Sequence, residues 1–165
     1  YTLRTLFPYT TLFRSEYLER IYIKRGDFIY IPAGTVHAIE AGVKLIEVQQ
    51  NSNITYRLHD WGRGREVHIE KSLDVIDYEG ENKGGRIPNF VKLETPYFKV
   101  EKIIVQGNYS DTVNESFHCY TVISGEGVIK VNQKQMNLKE EETIYISKGT
   151  EYNIKGNMEL LKSSV

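Results

Sequence analysis

The stretch with the densest chemical signal is Gly26–His37, GDFIYIPAGTVH. Gly26-Asp27 reads as a tight turn, because glycine accepts backbone angles that other residues avoid. A short apolar strand runs from it to Pro32-Ala33-Gly34, a second turn, and the chain returns through Thr35-Val36-His37. On the returning strand His37 and Ile39 share a face, since side chains alternate along a strand. An imidazole presented this way could ligate a metal ion, or it could be a satisfied core or surface side chain. Further on, TYRLHDWGRGR (Thr55–Arg65) concentrates guanidinium groups, whose fixed charge suits oxyanions and phosphates. The plain alternatives are that Arg57 pairs with nearby Asp60 and that Arg63 and Arg65, in a Gly-rich turn, are solvated. Glu47 alternates with apolar neighbours and could simply face solvent. Gln49, Gln50 and Asn51 are strand-end polar groups able to orient a site through hydrogen bonds.

The elements that must position these residues are short β-rich runs separated by glycine and polar turns. Ile21–Ile23, Phe28–Ile31 and Leu45–Val48 are of this kind, rich in residues that suit a pleated, half-buried surface. A helix is expected around Glu70–Ile76, where Ile69, Leu73 and Ile76 fall at helical spacing. Asp77–Asn89, DYEGENKGGRIPN, is dense in glycine and charge and reads as an interdomain linker. A second β-rich segment covers 90–165, with strands expected at Phe98–Val105, Tyr120–Ile123, Val128–Val131, Thr143–Ile146 and Met158–Leu161. Regularly spaced short strands with turn signals indicate an all-β sandwich or barrel, the class that includes jelly rolls. Residues 90–165 suffice for one small barrel, whereas 16–76 are too few for another, so that barrel is expected to be incomplete in this chain.

Composition sets the outer bounds. Hydrophobic residues make up 40% and charged residues 26%, the balance of a globular protein, and the formal net charge is -1. With no basic face, nucleic acid is not expected as a partner. The single cysteine, Cys119, rules out an intrachain disulfide, and no apolar run reaches the length of a membrane span. A cytoplasmic protein with no membrane partner is the expectation.

The chain opens on Tyr1, and Thr5–Ser15, TLFPYTTLFRS, resembles the in-frame translation of a common short-read sequencing adapter. Residues 1–15 are therefore read as an assembly artefact joined to a gene fragment beginning near Glu16, and they take no part in the functional reading. The alternative is a genuine apolar N-terminal strand. The codons beneath these residues distinguish the two.

The spacing Gly26, Pro32, Gly34, His37 resembles the second conserved motif of the cupins, in which the histidine is a metal ligand pointing into the barrel. A catalytic zinc site takes about three protein ligands and an open position. The resemblance implies that the remaining ligands come from an N-terminal segment outside this chain, since no histidine precedes Gly26. Together PAGTVHAI, LIEVQQNS, TYRLHDW and EVHIEKSLDVI resemble the short bacterial form of the type I mannose-6-phosphate isomerases, densely over 16–76 and more faintly beyond. The implied activity is a zinc-assisted interconversion of mannose 6-phosphate and fructose 6-phosphate through a cis-enediol, with a sugar phosphate as the small-molecule partner. In that likeness His37 is a Zn2+ ligand, and Arg57 matches the active-site arginine. Glu47 falls where a glutamate implicated in proton transfer stands, and Arg63 lies where some relatives carry a lysine near the substrate phosphate. The fold implied is a partial catalytic cupin (16–76), a linker (77–89) and a degenerate, metal-free C-terminal cupin barrel (90–165).

In that second copy Ser124–Gly127 resembles the turn closing a first cupin motif, and Lys139–Thr150 resembles the second motif. Tyr152 stands where His37 stands in the first copy, with no histidine near it in sequence. His118 is therefore expected to be isolated and structural, and the barrel to serve by packing. A competing reading is a non-catalytic cupin module that binds a sugar or a partner. Another cupin enzyme, such as a metal-dependent dioxygenase, fits the QQNS and TYR elements less well.

Overall fold

The computed structural model describes the backbone of residues 2–6 and the whole of residues 18–165, so most of the adapter-like stretch lies outside the described residues. The chain forms two compact units, one of residues 1–47 with 52–89 and one of 48–51 with 90–165.

In the first unit the strands are β1 (Thr2–Leu6), β2 (Leu18–Tyr22), β3 (Phe28–Tyr30) and β4 (His37–Ile39). β1 lies antiparallel between β2 and β4, so the start of the segment set aside above takes part in a ladder. Strand edges offer unpaired N–H and C=O groups that any extended backbone can satisfy, whatever its side chains. The helix α1 (Ile69–Val75) stands within one residue of the expected span, with Glu70 placed favourably in its first turn. It ends where Ile76 turns extended, at φ -66 and ψ 133.

Two expectations need correction here. Leu45–Val48 forms no ladder among the described residues, and Val48–Asn51 groups with the second unit. A β-prone run becomes a strand only where a partner edge receives its hydrogen bonds. The stretch expected to link domains contains β5 (Gly85–Ile87), which pairs antiparallel with β3 through Phe28↔Ile87 and Tyr30↔Gly85. Asp77 further orders it by accepting from the Glu81 and Asn82 amides at 3.2 and 2.7 Å.

The second unit holds β6 (Lys92–Glu94), β7 (Lys99–Thr112), β8 (Phe117–Val131), β9 (Lys134–Lys139), β10 (Thr143–Ser147) and β11 (Glu151–Ser164). They form one antiparallel sheet in the order β10-β8-β11-β7-β6, with β9 paired to β8. Its core gathers inward-facing side chains such as Val105, Val122, Ile129, Leu138, Ile154 and Leu160.

The strands expected at Tyr120–Ile123 and Val128–Val131 are one strand, and Ser124–Gly127 is no chain reversal. The ladder with β11 slips between Glu159 and Leu160, where the register passes from Ser124 to Val122 and skips Ile123. One extra residue reverses the parity of a strand, so Tyr120 and Val122 face the core before the bulge and Ile129 faces it afterwards. The glycines serve close approach: a Cβ on Gly125 would collide with the Asn157 carbonyl oxygen, and one on Gly127 with the Lys155 carbonyl oxygen.

Candidate functional site

His37 is positioned by a clamped turn. The Thr35 amide donates to the Pro32 carbonyl at 3.2 Å, closing the Pro32–Thr35 reversal. Gly34 occupies its apex at φ +84, and a Cβ there would lie 2.9 Å from the Val75 carbonyl oxygen at the end of α1. The Asp77 amide donates to the Gly34 carbonyl at 3.1 Å, and the Asn82 side-chain amide donates to the Ala33 carbonyl at 3.3 Å. Pro32 is buried, and a Cβ on Gly84 would lie 2.5 Å from its ring. The other end of the motif is tied through Asp27, whose carboxylate accepts from the Lys24 amide at 2.9 Å and pairs with Arg86 at 3.3 Å. Residues 75–87 thus hold both turns of the motif.

His37 itself is exposed on β4, on the same face as Ile39. Its Nδ1 lies 2.9 Å from the Thr35 carbonyl oxygen. A carbonyl can only accept, so Nδ1 carries the proton and Nε2 of the neutral ring keeps its lone pair. Metal-ligating histidines commonly donate their other ring N–H to a backbone carbonyl in this manner. The imidazole therefore fits a zinc ligand's role. Among the described residues no three His, Cys, Asp or Glu side chains gather closely enough to hold a metal ion.

Arg57 is half-buried. Its Nη1 donates to the Glu66 carbonyl at 3.1 Å, and its main chain meets His68 twice. The His68 amide donates to the Arg57 carbonyl at 2.8 Å, and the Arg57 amide donates to Nδ1 of His68 at 3.3 Å. His68 is thereby engaged as an acceptor at Nδ1, with Nε2 3.5 Å from the Glu66 carboxylate.

Asp60, one alternative partner for Arg57, is bound to Arg65 instead, through Nε at 2.6 Å and the backbone amide at 3.0 Å. Burial alone would raise the Asp60 pKa, but these hydrogen bonds and the Arg65 charge outweigh it and leave the carboxyl below its ordinary range. Arg63 and Arg65 are both exposed; Arg65 is paired with Asp60, and the Arg63 amide donates to the Asp60 carbonyl at 3.3 Å. Glu47 is exposed and lies outside any strand. The four sequence-predicted residues, His37, Glu47, Arg57 and Arg63, share the first unit. Among the described residues no hydrogen bond or ion pair joins any two of them.

The second unit overturns one expectation: His118 is not isolated. Its Nδ1 lies 2.7 Å from the hydroxyl of Tyr152, which is 2.6 Å from the hydroxyl of Tyr120. Tyr152, Tyr109 and Lys162 all donate to Oδ2 of Asp111, at 3.2, 3.1 and 2.8 Å. Burial raises the pKa of the Tyr120 and Tyr152 hydroxyls, keeping both protonated. Sequence reading missed this group because Asp111, His118, Tyr152 and Lys162 are distant along the chain. The signal that could have found them is parity: His118 with Tyr120, and Tyr152 with Lys162, fall on inward-facing positions of their strands.

Residues 86–165 match the family model described as the mannose-6-phosphate isomerase cupin domain. A putative mannose-6-phosphate isomerase of Bacillus subtilis, YvyI, is 36% identical across 90% of this chain, and ManA of the same organism is 32% identical across 90%. The chain is similar to mannose-6-phosphate isomerases along nine-tenths of its length. A crystal structure of the mannose 6-phosphate isomerase from Bacillus subtilis superposes with a TM-score of 0.73 at 30% identity, covering 90% of this chain and 52% of that one. That likeness makes the all-β cupin assignment firm across both units. The chain spans about half the length of the curated mannose-6-phosphate isomerases it matches, 52% of YvyI and of ManA.

Proposed function

We propose that the protein to which this chain belongs interconverts mannose 6-phosphate and fructose 6-phosphate, moving a proton between C1 and C2 through a cis-enediol. The observation that carries the reading is His37, set on a strand by a clamped Gly-Pro-Gly turn and presenting Nε2 because Nδ1 is held by Thr35. It is supported by similarity to YvyI and ManA along 90% of the chain.

His37 would be one ligand of a Zn2+ ion whose other ligands lie outside the described residues. Bound zinc would supply Lewis acidity at the sugar oxygens. The Arg57 guanidinium, steadied by the Glu66 carbonyl, carries a fixed charge suited to the developing enediolate oxygen. Glu47 is assigned the proton transfer, as an exposed carboxylate free of an ion-pair partner among the described residues. Arg63 is assigned to the substrate phosphate, because Asp60 engages its neighbour Arg65. A cytoplasmic setting accords with the substrate. Among the described residues no helix is long and apolar enough to cross a membrane.

The test is a coupled isomerase assay on the protein extended to the length of its relatives, with its bound metal quantified. We expect chelator-sensitive activity, zinc lost in His37→Ala, and kcat reduced on the order of a hundredfold or more in Arg57→Met. A folded, zinc-loaded extended protein that isomerises neither sugar phosphate would overturn the assignment and favour a sugar-binding cupin module.

A further inference from the structure

We infer that the C-terminal cupin carries a binding site of its own, for an uncharged polyhydroxylated ligand of monosaccharide size, in the hollow floored by Asp111, His118 and Lys162. The inference does not depend on the proposed isomerase activity, because the hollow is built wholly from residues of the second unit.

The hollow measures about 280 Å³, at the small end of ligand cavities, which suits one sugar ring. Its floor offers both hydrogen-bond donors and an acceptor. Lys162 has three N–H donors and gives one to Asp111; its side chain is only 10% exposed, and among the described residues the other two donors meet no acceptor. Nε2 of His118 also makes no hydrogen bond among the described residues; because the Tyr152 hydroxyl gives its proton to Asp111, Nδ1 of His118 carries the ring proton and Nε2 is an open acceptor. A ligand hydroxyl could accept from the remaining Lys162 donors and donate to Nε2 of His118. Asp111 is saturated by its own neighbours, since Oδ2 accepts three donors and Oδ1 accepts the Thr112 amide at 2.7 Å.

Charge selects among oxygen-bearing ligands. Lys92, Lys99 and Lys162 line the hollow, and Glu101, Asp111 and Glu115 line it too, so the charges cancel. A phosphate dianion would gain no net attraction and would meet carboxylates at the rim. A hydroxyl group accepts from the lysine donors and gives its own proton to Nε2 of His118 or to a lining carboxylate, so both roles are used.

The experiment uses the full 165-residue chain labelled with 15N at histidine. D-mannose, D-mannitol and inorganic phosphate are titrated separately while the His118 imidazole resonances are followed, which localises binding to this hollow. The expected result is a saturable shift with both neutral compounds and none with phosphate. The double variant Lys162→Met/Asp111→Asn, which removes the charge pair together, should weaken binding on the order of tenfold. Ser116→Trp, an exposed lining position, should block the hollow with the floor intact and supplies the decisive arm if the double variant does not fold. No His118 shift with either neutral compound, undiminished binding in a folded Ser116→Trp chain, or a stronger response to phosphate would overturn the inference.

Discussion

The hydroxyl of Tyr152 stands 2.7 Å from Nδ1 of His118, although 34 residues of chain separate them. Tyr152 is 4% exposed and its hydroxyl also touches Tyr120 and Asp111, so its removal strands several buried polar atoms at once. Tyr152→Phe should cost about 1–3 kcal/mol in urea unfolding. Tyr145→Phe, whose exposed ring stacks on Phe117, should stay within about 0.5 kcal/mol. Equal effects in the two variants would show that the buried network adds nothing to stability.

His118 should also make stability depend on pH. Burial, and then the nearby Lys162 ammonium, lower its pKa against the opposing pull of Asp111 and Glu101. The unfolded chain therefore binds a proton more readily than the folded one as pH falls through about 6.5. Stability should decline below that point and level off beneath the folded pKa. Denaturation midpoints between pH 8 and 5 measure this. His118→Gln should flatten that segment of the curve, and an unchanged slope would assign it to another group.

The cupin turn was legible in the sequence because its signal is local. Gly26, Pro32 and Gly34 specify the backbone, and His37 follows at a fixed distance. α1 was legible because Ile69, Leu73 and Ile76 repeat at helical spacing. β9 was not, because Leu138 is its only buried residue and its neighbours are polar and exposed. Nor was the continuity of β8: glycines at 125 and 127 read as a turn, whereas the structure uses them where β11 passes too close for a Cβ. The cluster around Asp111 was hidden because it forms only when distant strands fold onto one another.

The role of residues 75–84 as a brace for the His37 turn gives a third expectation. Gly34 lies at φ +84, where L side chains are strained, and any Cβ would press on the Val75 carbonyl oxygen. Gly34→Ala should therefore cost about 2 kcal/mol in chemical denaturation. Because Asp77 and Asn82 bond to the same turn, the variant should also speed amide exchange at Thr35 and Asp77. A substitution that leaves both stability and exchange untouched would mean that the turn stands without its brace.

The pairing of Asp60 distinguishes the two fates open to Arg57. Asp60 is bound by Arg65 through its side chain and backbone amide, and its folded pKa lies below the unfolded value. A carboxyl of this kind contributes stability that is complete above about pH 3.9 and is lost as pH falls through the folded pKa. The stability gap between the natural chain and Asp60→Asn should therefore hold from neutral pH to about 5 and close under stronger acid. Arg65→Met should narrow the gap in the same way, since it removes the guanidinium that holds the carboxylate. Arg57→Met should leave it unaltered, because that guanidinium is turned to the Glu66 carbonyl. If Arg57→Met narrows the gap and Arg65→Met does not, Arg57 is the ion-pair partner in solution, and its charge is not available to a sugar oxyanion.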